Sequence, residues 1–348
     1  MARFFVAFLA AAVTLLSAGA AGARPLTVGF YLPWDAASTA SLSAHAGALD
    51  VIAPMSGALD TPAGHIRWQP DPARAAALAG ARNKPRVFPI VSNAHDEVWD
   101  AAAADGALLN PQAGDAFIAA LVAEAKAQAY GGYILDFENL SPASAPAYAA
   151  FLARLHAALK PMGRELWVTA GVAAEPALIH GLAAATDTVV LMAYDQCWAT
   201  GTPGPIAGLD WLQTSLDARL AAADPARLIV ALGAYGYDWP AGGTAAVLSA
   251  ADAAALAKAK GQAVIRAAPD GDPHFAYAAP GGTAHSVWWL DAPAFRAQRA
   301  AVDARHARGV AIWRLGLEDP ALWSKAAGPQ PSLPPGPAPP ACTALPKH

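Results

Sequence analysis

The run Gly131–Leu140, GGYILDFENL, sets two carboxylates, Asp136 and Glu138, two residues apart at the end of an apolar stretch. In an extended strand, side chains two apart share a face. Ile134, Asp136 and Glu138 then point one way, and Tyr133, Leu135 and Phe137 the other. Adjacent anions repel, so a carboxyl above a partly desolvated carboxylate keeps its proton. Such a group can act as a general acid toward a leaving oxygen. The competing reading is a structural pair satisfied by nearby donors. Only 14% of the chain is charged, so acids at the tip of a buried strand call for a reason.

The elements that would hold them recur between residues 24 and 328. Runs rich in Val, Ile and aromatics predict strands at 26–34, 49–56, 85–92, 131–138, 166–172, 188–195, 227–237 and 309–316. The stretches between them have helical period. In SPASAPAYAAFLARLHAALK, Tyr148, Phe151, Leu152, Leu155 and Leu159 recur three and four apart, with Ser141-Pro142 as a start and Gly163 as a stop. Near-continuous apolar strands alternating with helices predict a parallel sheet closed into a (β/α)8 TIM barrel. A doubly wound open sheet competes, but no Gly-rich phosphate fingerprint follows the first strand. The last interval is too long for one helix. Around Pro280-Gly281-Gly282 it contains two strand-like runs, which predict a hairpin in an insertion spanning about 240–291. A helix starting near Ala292 and including Phe295, Val302 and His306 would lead into the eighth strand.

Barrel chemistry belongs at the carboxyl ends of the strands. The polar tips are Asp35, Asp136 with Glu138, Tyr194 with Asp195, and Tyr237 with Asp238, and Trp34, Trp198, Trp239 and Trp313 accompany them. Flat aromatic faces stack on sugar rings and carboxylates bind hydroxyls, so the rim reads as a sugar site. Asp35 also suits a helix N-cap. Asn93, His95 and Asp96 follow the third strand and could touch sugar or form a polar loop. Neither a metal site nor a cofactor is indicated by ligand spacing, and no G-x-S-x-G elbow supports a Ser-His-Asp hydrolase.

The chain has 348 residues and a net charge of −4, without a basic run for nucleic acid. Arg3, an apolar stretch and Ala21-Gly22-Ala23 read as a signal peptide over residues 1–23, with an uncleaved anchor as the alternative. A secreted or periplasmic monomer without an integral membrane segment is expected. Residues 24–328 would form the catalytic domain, and 329–348 a Pro-rich, disordered tail. Two cysteines fix no framework. Cys197 reads as a small buried residue, and Cys342 lies in the tail.

Several motifs together resemble the family 18 glycoside hydrolases, the chitinase-like enzymes. The family's fourth strand carries D-x-x-D-x-D-x-E. Aligned on Glu138, this chain has Gly131, Ile134, Asp136 and Glu138, so the last two acids match. LMAYDQCW (191–198) resembles the family's M-x-Y-D, AIWRLG (311–316) its eighth strand, and GFYLPW its first. FEN is similar to the bacterial, cell-wall-associated branch, and the hairpin resembles an insertion that family members carry. The resemblance implies substrate-assisted retention on an N-acetylhexosamine polysaccharide such as chitin, peptidoglycan or an exopolysaccharide, with no metal or cofactor. Glu138 would be the acid. Asp136 would orient the acetamide, and Tyr194 would bind its oxygen. Trp313 would form the floor, and Asp195 would bind the sugar or support the acids. Tyr31, Trp34 and Trp198 are further candidate sugar contacts, and Asp238 with Trp239 could line the cleft or form a structural cap.

Two function classes follow, a glycosidase and a catalytically silent sugar-binding relative. Retention of Glu138, Asp136 and Tyr194 favours the enzyme. Ile134 removes the carboxyl partner below Asp136. A weaker enzyme or one with a shifted pH–rate profile is therefore expected, and a profile like that of an ordinary chitinase would count against this reading.

Overall fold

The computed structural model describes residues 24–95, 98–268, 271–324, 333–334, 336 and 341–343. Residues 1–23, read above as a signal peptide, Asp96 and most of the Pro-rich tail lie outside the described residues. The barrel strands are Leu26–Tyr31, Val51–Leu59, Arg86–Val87 with Ile90–Ser92, Gly132–Asp136, Glu165–Gly171, Thr188–Ala193, Leu228–Gly233 and Gly309–Trp313. Each pairs in parallel with its neighbours, and Leu26↔Gly309 with Val28↔Val51 closes the ring. The (β/α)8 barrel expected from the strand count is the observed architecture.

Strand alternation divides the apolar residues into two layers. Val28, Phe30, Ile134, Trp167, Val190 and Ile229 pack together inside the barrel. Tyr133, Leu135 and Phe137 face the helices, among them Ala145–Leu159, whose Tyr148, Phe151 and Leu152 are buried against the sheet. Gly131, which replaces a family acid, packs against Phe88: a Cβ there would meet the ring at 2.6 Å. The amino end of the barrel is sealed by Phe88 and Trp167, 4.5 Å apart, and by Glu165 bridging Arg86 and Arg308.

The insertion is larger than a hairpin. His274–Ala278 and Ala284–Trp289 pair as expected, but they join Gly236–Pro240 and Ala246–Leu248 in a four-stranded antiparallel sheet. The run at 227–237 is therefore two strands. The chain leaves the barrel after Gly233, and Ala234 N–H donates to the Trp313 carbonyl at 2.7 Å. The helix before the eighth strand is Ala292–Asp303, so His306, with φ of 56°, lies beyond it. Among the described residues no helix is long and apolar enough to cross a membrane.

Cys197 and Cys342 are joined in a disulfide across 145 residues. The tail was expected to be free, yet Thr343 and Thr202 exchange hydrogen bonds at 2.8 and 3.0 Å, and Gly336 N–H donates to Ala268 at 3.0 Å. Cross-linking so long a loop restricts the unfolded chain, an effect typically worth about 2–4 kcal/mol. Reduction, or Cys342→Ser, is expected to lower the denaturant midpoint accordingly. Equal midpoints for oxidised and reduced protein would remove the disulfide as a stabilising element.

Candidate active site

The fourth strand ends at Asp136, so Glu138 stands on the turn just above it. Asn139 follows with φ of 50°, a left-handed conformation that Asn tolerates better than most residues. This turn holds Glu138 at the barrel mouth. Fully buried Asn93 fixes it from the third strand: its Oδ1 accepts from Glu138 N–H at 2.9 Å, and its Nδ2 donates to the Glu138 carbonyl at 3.0 Å and to the Asp100 carbonyl at 3.2 Å. Asn93, weighed as a sugar contact, is thus turned into the protein to hold the backbone. Below, Asp136 is buried over the apolar layer containing Ile134 and accepts from Thr169 Oγ1 at 2.6 Å.

The sixth strand supplies the opposite wall. Tyr194 stacks on Trp313 with ring centres 5.9 Å apart and planes at 10°, and Phe30 meets Trp313 edge-on at 5.4 Å. Asp195 has φ of 55°, which turns its carboxylate to the hydroxyls of Tyr235 and Tyr237, both of which donate to Oδ1. Leaving the strand in this conformation stores local backbone strain, as functional sites often do.

Burial is the main electrostatic influence. It pushes Asp136 up to about 6, against the Thr169 hydrogen bond, which favours the ionised form. Glu138 is pushed up to about 7, first by burial and then by the nearby Asp136 and Asp195 charges. Asp195 is raised by burial, although its two tyrosine donors oppose the shift. The Tyr194 phenol is raised well above its ordinary value by burial and by the surrounding carboxylates, so it remains a hydrogen-bond donor. None of the three acids has a cationic partner among the described residues. Nor does any group of His, Cys, Asp and Glu among those residues converge as a metal site.

No family model matches the chain. Over 330 residues it is 25% identical to the uncharacterized glycosylase YvbX of Bacillus subtilis, covering 90% of this chain and 95% of that protein. It is 26% identical to the solved chitinase of Chromobacterium violaceum, with a TM-score of 0.78, covering 86% of this chain and 96% of that one. The chain is thus similar to chitinase-like glycosidases over most of its length. The fold is also that of the Bacillus megaterium spore cortex-lytic enzyme SleL, at 21% identity and a TM-score of 0.79, covering 86% of this chain and 72% of that one. The cortical fragment-lytic enzyme of Bacillus subtilis is 26% identical over 219 residues, which are 58% of this chain and 50% of that protein. The match thus spans about half the length of that relative.

The structure gathers Asp136, Glu138, Tyr194, Asp195 and Trp313 and disperses several other candidates. Tyr31 is fully buried in the outer layer and donates to Asp71, so it is no sugar contact. Val28 and Phe30 point into the barrel, so alternation turns the next residue, Tyr31, toward the helices. Trp239, 1% exposed, is a core residue of the insertion, and its indole donates to the Trp198 carbonyl at 3.3 Å. Asp238 accepts from Tyr277 at 2.7 Å and contacts His285 Nδ1 at 2.8 Å within the antiparallel sheet. Trp198 is half-buried beside the disulfide, while Trp34 is 58% exposed at the mouth of a cleft of about 700 Å³ that reaches Ser92. Asp35 is the N-cap of Ala36–His45 and is paired with Arg314. Thr169, Tyr235 and Tyr237 escaped assignment as site residues. Tyr237 adjoined Asp238 at a predicted tip, but nothing in the sequence linked either tyrosine to Asp195.

The raised carboxyls have a stability consequence with a definite sign. Asp136 binds its proton more tightly folded than unfolded, so its contribution falls as pH rises from 3.8 through about 6. Above that range the ionised form costs the native state about 2–3 kcal/mol. Asp136→Asn keeps an acceptor for Thr169 and removes the charge. Its melting temperature relative to the parent is expected to rise between about pH 4 and about pH 8; a difference independent of pH would refute this.

Proposed function

We propose that the chain hydrolyses β-linked N-acetylhexosamine glycans by substrate-assisted retention, with Glu138 as the general acid. The observation that carries this is a protonatable Glu138 above buried Asp136, with both facing the Tyr194–Trp313 stack. Glu138 gives its proton to the glycosidic oxygen, and the bond from that oxygen to the anomeric carbon breaks. The substrate's acetamide oxygen attacks that carbon and forms an oxazolinium ion. Asp136, as the carboxylate, accepts from the acetamide N–H and balances the positive charge, and Tyr194 donates to the acetyl oxygen. Water then attacks the anomeric carbon, losing its proton to Glu138 carboxylate, and the acetamide is released with retained configuration. Asp195, gripped by two phenols, binds sugar hydroxyls and helps to keep Glu138 protonated. Trp313 is the floor beneath the reacting ring, with Trp34 and Trp198 as outer aromatic contacts. An exported protein meeting its polymer outside the cytoplasm fits the reading of residues 1–23.

The pH dependence follows from the two acids. Activity requires ionised Asp136 and protonated Glu138, so it falls below about 6 and above about 7. A second reading, a silent sugar-binding protein, draws on Ile134, whose apolar packing offers Asp136 no partner carboxyl. Release of reducing ends from N-acetyl-chitooligosaccharides and from peptidoglycan glycan strands tests both. Glu138→Gln is expected to lower kcat by about 10²–10⁴ while retaining affinity. Equal turnover by parent and variant would overturn the mechanism; sugar binding without turnover by either would favour the second reading.

A further inference from the structure

The second barrel strand runs past the rim and is met there by an antiparallel strand, Ile66–Trp68, with Gly57↔Trp68, Ala58↔Arg67 and Leu59↔Ile66 opposite one another. Alternation divides this extension. Ile66 is buried and Trp68 packs on the helix-facing layer, its ring 6.4 Å from Tyr133. Arg67 and Gln69 therefore emerge on the other face, where they line the cleft with Trp34, Met55 and Ser92. Ser92 is opposite Asp136 in register, so this wall is continuous with the acidic centre.

Arg67 is the one charged residue in the cleft lining and has no carboxylate partner among the described residues. Among the described residues, the acids nearest it in sequence are otherwise engaged: Asp60 contacts His65 at 2.6 Å, and Asp71 accepts from Tyr31 and lies 3.6 Å from Arg74. His95 orients the guanidinium. Its Nε2 is 2.6 Å from the Leu59 carbonyl, which can only accept, so Nε2 carries the proton. Nδ1 is then the acceptor for Arg67 Nη2 at 3.2 Å. One N–H of the planar fork is fixed to the wall, which leaves the remaining donors for a ligand. A guanidinium so held matches a carboxylate in charge and geometry.

We infer that this end of the cleft is a subsite for a carboxylate-bearing sugar unit, recognised by Arg67 with His95 as its positioning residue. The inference rests on the glycosidase reading and specifies its substrate class, an acidic N-acetylhexosamine glycan. The carboxylate could come from an ether-linked lactyl group on the hexosamine or from an alternating uronic acid. The chain's net charge of −4 would repel such a polymer at long range, so the local cation has to supply the attraction.

The test is binding, measured by calorimetry on full-length Glu138→Gln protein, which requires no turnover. The probes are peptide-free peptidoglycan glycan strands, the same strands with their carboxyls methyl-esterified, and an N-acetylglucosamine–glucuronate oligosaccharide. The free-acid strands are expected to bind about tenfold more tightly than the esters. In Arg67→Gln that ratio should collapse toward unity, while Arg67→Lys should retain part of it because the charge remains without the fork. Preference for the uronate oligosaccharide alone would keep the carboxylate subsite and name its source. Equal affinity for acid and ester strands together with no preference for the uronate oligosaccharide, or a carboxylate preference unchanged in Arg67→Gln, would overturn the subsite while leaving the glycosidase reading intact. Failure of all three sugars to bind, with N-acetyl-chitooligosaccharides still cleaved by the parent, would also overturn the subsite alone. Failure of both assays would overturn the two readings together.

Discussion

Burying carboxylates without cations is the constraint on which this molecule turns. The two ends of the barrel show the difference. At the amino end, Glu165 lies between Arg86 and Arg308 and receives the Trp167 indole hydrogen bond, so its charge is compensated and its carboxyl is held below the ordinary range despite burial. At the carboxyl end, Asp136 rests on an apolar layer with one hydroxyl donor, and Glu138 faces two further acids. The first arrangement supports the scaffold. The second keeps protons mobile near neutrality, as proton transfer to a leaving oxygen requires.

Holding such groups in place calls for backbone support beyond the strands. The chain meets this with two left-handed residues, Asn139 and Asp195, each where a strand gives way to the mouth. Asn93 adds a side-chain clamp that satisfies both backbone polar groups of Glu138. The acids are thus positioned by groups that carry no charge, and burial remains the first cause of each raised proton affinity. Across the cleft, the Tyr194–Trp313 stack adds rigid, flat surface.

Period and parity were the most legible part of this design. The strand count, the inward set Ile134–Asp136 and the outward set Tyr133–Leu135–Phe137 were readable from alternation alone, since a strand's faces follow from its geometry. The same rule, applied to the first strand, would have set Tyr31 outside the barrel. Trp239 and Asp238 misled for a different reason. They follow an apparent barrel strand, but the chain changes sheets at Ala234, and only the tertiary pairing of Gly236 with Trp289 reveals it. Thr169 and Tyr235 are ordinary residues in sequence, and they acquire a role by meeting partners 33 and 40 positions away. The Cys197–Cys342 link was equally invisible, because two cysteines carry no geometry until the chain is folded.

That link changes the topology of the molecule. From Cys197 to Cys342 the oxidised chain is a closed covalent ring, and the ring contains the seventh and eighth strands, the whole insertion, Trp313 and both tyrosines that grip Asp195. One half of the site is therefore ring-borne. The other half, Asp136, Glu138, Tyr194 and Asp195, lies on the linear portion. A single backbone break within the ring would leave every fragment attached to the rest, so in an oxidising environment rich in proteases Trp313 and the tyrosines that grip Asp195 would stay tethered to the acids after a first cut.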